Sequence, residues 1–338
     1  MGYKKYFHIS EDGGIRENTE YERTASSLPS GGYTWLNYYQ PDKEGMMELV
    51  DKYSVHPLSA EDCLDKNQLP KIERFAENTF IIFNSFHYDK RVLHVDEINF
   101  FIGKDFLITI CGNNSDERNP LEDVESMILA DQGSIKNSPA VLLHRILDCI
   151  VDRKFDVFEK IEDEIEESED KILDADPLFD ATELIRLRRR LQTLRKSLFH
   201  ESEILLKICR NDYSFTTAEM IAHYRDVSDH LGKFFGLTET YRENVTNLME
   251  LFESIQNNLM AKSANDTNVS VRKLTIIATV FLPLTLIASI GGMSEWTMMT
   301  GAMSWKLSYL ILIFAMALIA AINYWIIKKL EGKGRGAK

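Results

Sequence analysis

What this sequence lacks already excludes most enzyme classes. It has no P-loop, no HExxH, no GxSxG and no Gly-rich turn opening a helix after a strand, so neither an enzymatic activity nor an organic cofactor is expected. Cysteine is scarce. Cys63, Cys111, Cys149 and Cys209 are widely spaced, without a CxxC or a histidine at ligand spacing, which fits a reducing compartment and gives them no role. The eight histidines are scattered. Residues 1–30 are polar and lack the apolar core of a secretory leader, so no leader is expected. Positive charge is also short: 39 Lys and Arg stand against 52 Asp and Glu, a net −13.

That deficit is unevenly spread. Residues 272–338 hold eight of the basic groups and only Glu295 and Glu331 of the acidic ones, which leaves 31 basic and 50 acidic groups upstream, −19 against +6. An acidic body of this kind repels nucleic acid and suits the handling of cations. The apolar residues are equally uneven. Leu274–Ser294 and Leu307–Ile327 are two runs of 21 residues without a charge. About 20 helical residues cross the ~30 Å hydrocarbon core of a bilayer, so both runs read as membrane-spanning helices. Arg272 and Lys273 precede the first run and Lys328–Lys338 is basic after the second, whereas the connection between them carries only Glu295 and Lys306. By the bias of positive charge toward the cytoplasm, both termini and the acidic body are expected there, in a multi-pass protein of the plasma (inner) membrane.

Upstream, Tyr33–Tyr39 and Phe80–Tyr88 read as strands, and Lys43–Tyr53 and Pro57–Lys66 as short helices. Val92–Ile102 and Asp105–Cys111 are β-rich runs around Gly103-Lys104, a hairpin signal. With a helix over Leu121–Asp131, the first 135 residues form a mixed α/β domain. Beyond Pro139 the pattern is helical. Glu162–Asp170 has seven acidic residues in nine, and an Arg-rich helix follows Asp176-Pro177, so the two helices are expected to pair antiparallel; most of these charges read equally well as solvated faces. A third helical pattern begins near Thr216 and meets no proline until Pro283. A helix of ~100 Å on so small a protein needs lateral partners, which an oligomeric bundle provides. Along it Asn268, Val271, Thr275, Ala278, Leu282, Thr285, Ser289 and Gly292 recur at steps of three and four. Such a stripe of small and hydroxyl residues either packs against other helices or lines a wet axis.

These residues carry a resemblance. Leu274–Ile290 (LTIIATVFLPLTLIASI) followed by Gly292-Met293 closely resembles the first membrane helix and signature of the CorA family of divalent-cation transporters. Tyr224–His230 (YRDVSDH), Trp35-Leu36-Asn37 and His56–Asp62 (HPLSAED) add to it, in order along nearly the whole chain. The resemblance implies an α+β cytoplasmic domain of α/β/α layering, a long stalk helix and two C-terminal transmembrane helices, assembled as a homopentameric funnel. Its parts here would be the α/β/α domain over 1–135, a helical hairpin over 136–212, the stalk over 213–273, a pore-lining helix over 274–294, an extracytoplasmic loop over 295–306, a second span over 307–327 and a basic tail over 328–338. The lining would comprise Asn268, Leu274, Leu282, Thr285, Ser289, Gly292 and position 294, with Leu274 and Leu282 as hydrophobic constrictions.

Where the family signature reads Tyr-Gly-Met-Asn, this chain has Gly291-Gly292-Met293-Ser294. A ring of Ser294 hydroxyls can still accept hydrogen bonds from hydrated Mg²⁺, though without the amide's carbonyl dipole. Glu295, outside the usual motif, either adds a carboxylate ring at the mouth or merely solvates the loop. The resemblance also implies regulatory Mg²⁺ sites between subunits, at Asp89 and Asp226, that close the pore when internal Mg²⁺ is high. The expected function is a channel for Mg²⁺, with Co²⁺ and Ni²⁺ as further cargo and Mg²⁺ as both regulator and substrate; its partners are further copies of the chain, divalent cations and the lipid bilayer. Two alternatives stand beside it: a zinc-transporting or weakly selective channel, and a non-conducting, membrane-anchored cation sensor or scaffold.

Overall fold

A computed structural model describes residues 2–12, 14–18, 32–65, 68–112, 119–130, 138–210, 213, 215–292, 301 and 304–334. The chain forms two compact units, Met1–Phe252 and Glu253–Lys338.

The first unit is built on a sheet of β1 (Tyr3–Ile9), β2 (Ile15–Asn18), β3 (Tyr33–Tyr39), β4 (Lys71–Arg74), β5 (Thr79–Asp89), β6 (Val92–Ile102) and β7 (Phe106–Cys111). Their spatial order is β2-β1-β3-β7-β6-β5-β4, with β3 and β7 parallel and all other neighbours antiparallel. Central strands read as apolar runs because both faces are covered: Phe80, Ile81, Ile82 and Phe83 of β5 are all fully buried. On one face lie α1 (Lys43–Tyr53) and α2 (Pro57–Asp62), whose Met46, Leu49 and Ala60 join Leu36, Ile82, Phe101, Ile108 and Ile110 in one core. Asp42 caps α1 by accepting from the Gly45 amide at 2.7 Å, and Ser54 ends it in the left-handed region. Asn37 faces the other side of β3 and donates to Glu125 of α3 (Glu122–Ala130) at 2.7 Å. On that side α4 (Pro139–Asp152) packs against β3, β5, β6 and β7. This is the α/β/α layering expected from the resemblance.

After a single turn residue, Arg153, come α5 (Lys154–Leu173) and α6 (Thr182–Cys209). They run antiparallel, as their opposite charge predicts: Lys154 meets Glu201, and Glu164 meets Arg190. Beyond these the chain enters α7 (Ala218–Gly291). Its first turns close the unit, with Phe234 stacked on Phe158 at 4.9 Å and the Tyr224 hydroxyl donating to the Ala140 carbonyl at 2.8 Å.

Strands β3 and β6 and helix α1 lie where the sequence pattern puts them. Three short strands escaped it. β1 (YKKYFHI) and β2 occupy a segment whose charges read as a polar start, and the four residues of β4 are too few for periodicity to register. The expected Gly103-Lys104 hairpin is present, with the Gly103 amide on the Phe106 carbonyl at 3.0 Å; a Cβ at Gly103 would lie 2.3 Å from the Phe106 ring.

The second unit contains the remainder of α7, which continues through Pro283, and α8 (Trp305–Gly334). The Ser304 carbonyl starts α8 by accepting from the amides of Leu307 and Ser308 at 2.9 and 3.2 Å. Both helices carry an apolar stretch long enough to cross a membrane, and only 6% of each stretch is buried within the chain. They approach closely at Gly291, where a Cβ would lie 2.4 Å from Leu312 Cδ2.

Candidate ion pathway and regulatory site

The stripe on α7 is a property of helical spacing. Asn268, Leu274, Leu282, Thr285, Ser289 and Gly292 are all exposed within the single chain, with Leu274 67% and Leu282 68% accessible. Exposed leucines at this density need lipid or other helices to cover them. The hydroxyls show what such a surface offers an ion. Thr275 donates to the Val271 carbonyl at 2.9 Å, and Thr285 to the carbonyls of Phe281 and Leu282, both at 2.9 Å. Each threonine thus uses its proton inside the helix and presents an oxygen that accepts only, which suits a hydrated cation. Pro283 lacks the amide that would bond the Thr279 carbonyl, so that oxygen too loses its helical partner. Met293, Ser294 and Glu295, expected at the mouth, lie outside the described residues.

The two glycines at the end of α7, Gly291 and Gly292, differ in the space around them. Gly291 is buried and lets Leu312 of α8 approach the α7 backbone, whereas a Cβ at Gly292 would sit at ordinary contact, 3.4 and 3.6 Å from the nearest atoms.

Of the two expected regulatory carboxylates, Asp89 is the last residue of β5 and Asp226 lies on the first part of α7. Both are exposed, and neither side chain makes a hydrogen bond or ion pair among the described residues. The single chain does not join them: no group of three or more His, Cys, Asp or Glu among the described residues is arranged to hold a metal. Asp226 acts on the nearby Asp152. Burial, then the neighbouring Asp148, raise the Asp152 carboxyl above its usual range, with Asp226 adding to the effect and His230, 3.9 Å away, opposing it.

Two buried polar clusters along β5, the strand that ends in Asp89, escaped sequence reasoning. β4 stops opposite Ile82, so β5 beyond it has an open edge, and side chains from α5 and α6 satisfy it. Lys154 Nζ donates to the Asn84 carbonyl at 2.8 Å, and the Asn84 amide donates to Glu201 Oε1 at 3.3 Å. Lys154 and Glu201 are both fully buried, 3.1 Å apart; burial pushes the lysine's pKa down and the glutamate's up, and their mutual attraction opposes both shifts. Four residues along β5, buried Tyr88 donates to Glu164, which also holds Arg190 in a two-pronged pair at 2.6 and 3.0 Å. In the sequence these four ionic residues look like any others on charged helices; only their pairing across elements distinguishes them.

The model for the CorA-like Mg²⁺ transporter proteins matches residues 30–329. This chain belongs to that family. It is thus one of a family of divalent-cation transporters of the membrane. It is 31% identical over 324 residues to the cobalt/magnesium transport protein CorA of Thermotoga maritima, covering 93% of this chain and 89% of that protein. It is 27% identical to the putative metal ion transporter YfjQ of Bacillus subtilis, over 95% of this chain and 96% of that one. Among solved structures it resembles the complete CorA magnesium transporter from Methanocaldococcus jannaschii, with a TM-score of 0.70 and 22% identity over 96% of both chains, a likeness of fold.

Proposed function

We propose that this chain is the subunit of a homopentameric channel that carries Mg²⁺, and with it Co²⁺ and Ni²⁺, across the plasma (inner) membrane with both termini in the cytoplasm. One observation carries the reading: an acidic unit precedes a helix whose apolar stretch has no charge and presents threonine oxygens that only accept hydrogen bonds. Hexahydrated Mg²⁺ dehydrates reluctantly, so a lining of neutral acceptors suits an ion that keeps its water. Five copies bring Asn268, Leu274, Leu282, Thr285, Ser289 and Gly292 around one axis, with Met293, Ser294 and Glu295 at its mouth. Leu274 and Leu282 then close the axis by excluding water. Asp89 of one subunit and Asp226 of its neighbour bind internal Mg²⁺. Each subunit carries −19 upstream of residue 272, so without bound cation the cytoplasmic parts repel and the pore opens. The likeness to the cobalt/magnesium transport protein of Thermotoga maritima supports the choice of ions.

Reconstitution into proteoliposomes with an inside-negative potential tests this directly. Mg²⁺ influx that competing Co²⁺ reduces is the expected result, and absence of any divalent influx would sink the proposal in favour of a non-conducting sensor. A second reading, a zinc-carrying or weakly selective channel, is favoured by Ser294 and Glu295 at the mouth. Comparing wild type with Ser294→Asn and Glu295→Gln across a panel of divalent cations separates the two: Zn²⁺ outcompeting Mg²⁺ in the wild type alone supports the second.

A further inference from the structure

Among the described residues the Asp89 side chain has no hydrogen bond or ion pair to hold it, so its position is set by its backbone and chain neighbours. Those neighbours are unusually constrained. On one side Tyr88 is buried; its hydroxyl donates to Glu164 and accepts from Arg190, and its carbonyl accepts from Lys160 of α5 at 3.4 Å. On the other side Asp89 pairs across the hairpin with Val92, which leaves Lys90 and Arg91 as a two-residue turn with φ of 46° and 62°. Such a turn favours Asn-Gly, and two long side chains in left-handed backbone are costly there. The turn is held from outside. Arg190 Nη1 donates to the Arg91 carbonyl at 2.6 Å, and the Arg91 guanidinium spans to Glu167 of α5 at 2.5 Å and Glu183 of α6 at 2.6 Å. Arg190 therefore holds Tyr88, Glu164 and the turn backbone together, and its pair with Glu164 is largely shielded from water, the two side chains being 12% and 5% exposed.

We propose that Arg190 is a positioning residue for the regulatory cation site, fixing through Tyr88, Glu164 and Arg91 the place at which Asp89 meets its ion. The inference rests on the reading of Asp89 as a regulatory ligand given above. A carboxylate on a loose hairpin pays an ordering cost when it binds, and one on a hairpin held to two helices has already met it. Lysine cannot reproduce the arrangement, because it lacks the planar fork that grips Glu164 while reaching Tyr88 and the Arg91 carbonyl.

The experiment uses the full-length protein in proteoliposomes, with the internal Mg²⁺ that half-closes the flux and the Mg²⁺ that half-protects the protein from protease as paired readouts. Arg190→Ala should raise both midpoints about five-fold or more while leaving maximal flux at low internal Mg²⁺ close to wild type. Arg190→Lys should recover only part of the shift. Should Arg190→Ala fold poorly, Tyr88→Phe removes a single hydroxyl from the same cluster and should raise the midpoints about two-fold. Because Arg190 acts through Asp89, adding Arg190→Ala to Asp89→Asn should bring little further shift. Wild-type midpoints in Arg190→Ala and Tyr88→Phe would overturn the proposal, as would shifts that add fully to that of Asp89→Asn. A wild type that neither closes nor gains protection with Mg²⁺ would instead overturn the regulatory reading and this inference with it.

Discussion

The two units of this chain solve opposite problems. Met1–Phe252 buries a sheet on both faces and carries Lys154 and Glu201 fully out of water. Glu253–Lys338 buries almost nothing: 6% of each apolar stretch is covered, and leucines such as Leu282 lie mostly open. The first unit contains its own solvent-excluding partner. The second must find one outside the chain, in lipid or in other helices, because a bilayer satisfies exposed apolar side chains that water does not. Damage to the interior of the first unit should therefore cost more stability than damage to the second.

The most severe test is the buried pair. Lys154→Ala or Glu201→Ala leaves one charge unpaired and buried, and each should cost about 3–5 kcal/mol in denaturant unfolding of the full-length protein. The matched replacement Lys154→Met with Glu201→Leu should restore most of that loss. A single variant that unfolds like wild type would mean the first unit does not depend on its interior in this way.

The close contact of Gly291 with Leu312 in the second unit offers the next test. Gly291→Tyr, which introduces the residue of the family signature, drives a side chain into Leu312 and should lower stability by about 1–3 kcal/mol. Gly292→Ala, where space exists and the backbone is not left-handed, should be neutral or stabilising by up to about 1 kcal/mol. Equal effects in a thermal-shift assay would show that the second unit has no packing of its own to lose.

Smaller still is the pH response of the first unit. His144 is half-buried, its ring 5.3 Å from that of His223 and 5.5 Å from that of Tyr224, and burial lowers its pKa below the usual 6.5. Between the lowered folded value and the unfolded one, the unfolded chain holds more protons, so stability rises with pH across that window. It is complete above about 6.5 and falls as pH drops below it. Melting temperatures should decrease from about pH 7.5 to about pH 5.5, and His144→Gln should flatten the slope. Least of all in stability, Leu282→Ala should change unfolding by less than about 1 kcal/mol yet raise flux at high internal Mg²⁺, since its side chain meets little within its own chain.

Much of this was legible in the residues. The two charge-free runs mark the spans because a bilayer demands length and apolarity that sequence displays directly, and the stripe from Asn268 to Gly292 follows from helical period alone. Strand β4 was not legible, nor was the ionic cladding of β5, since Lys154, Glu164, Arg190 and Glu201 are separated by up to 47 residues and look like surface charges until the fold pairs them. The contact of Gly291 with Leu312 was hidden for the same reason.

By itself, then, the sequence determined the membrane-crossing helices, the segregation of charge and the family, all of which depend on local composition and spacing. Only the tertiary structure decided that α5 and α6 cover the open edge of β5 and that Arg190 holds the turn after Asp89. Those features rest on unpaired backbone groups and buried charges finding partners from distant elements, which no periodicity records.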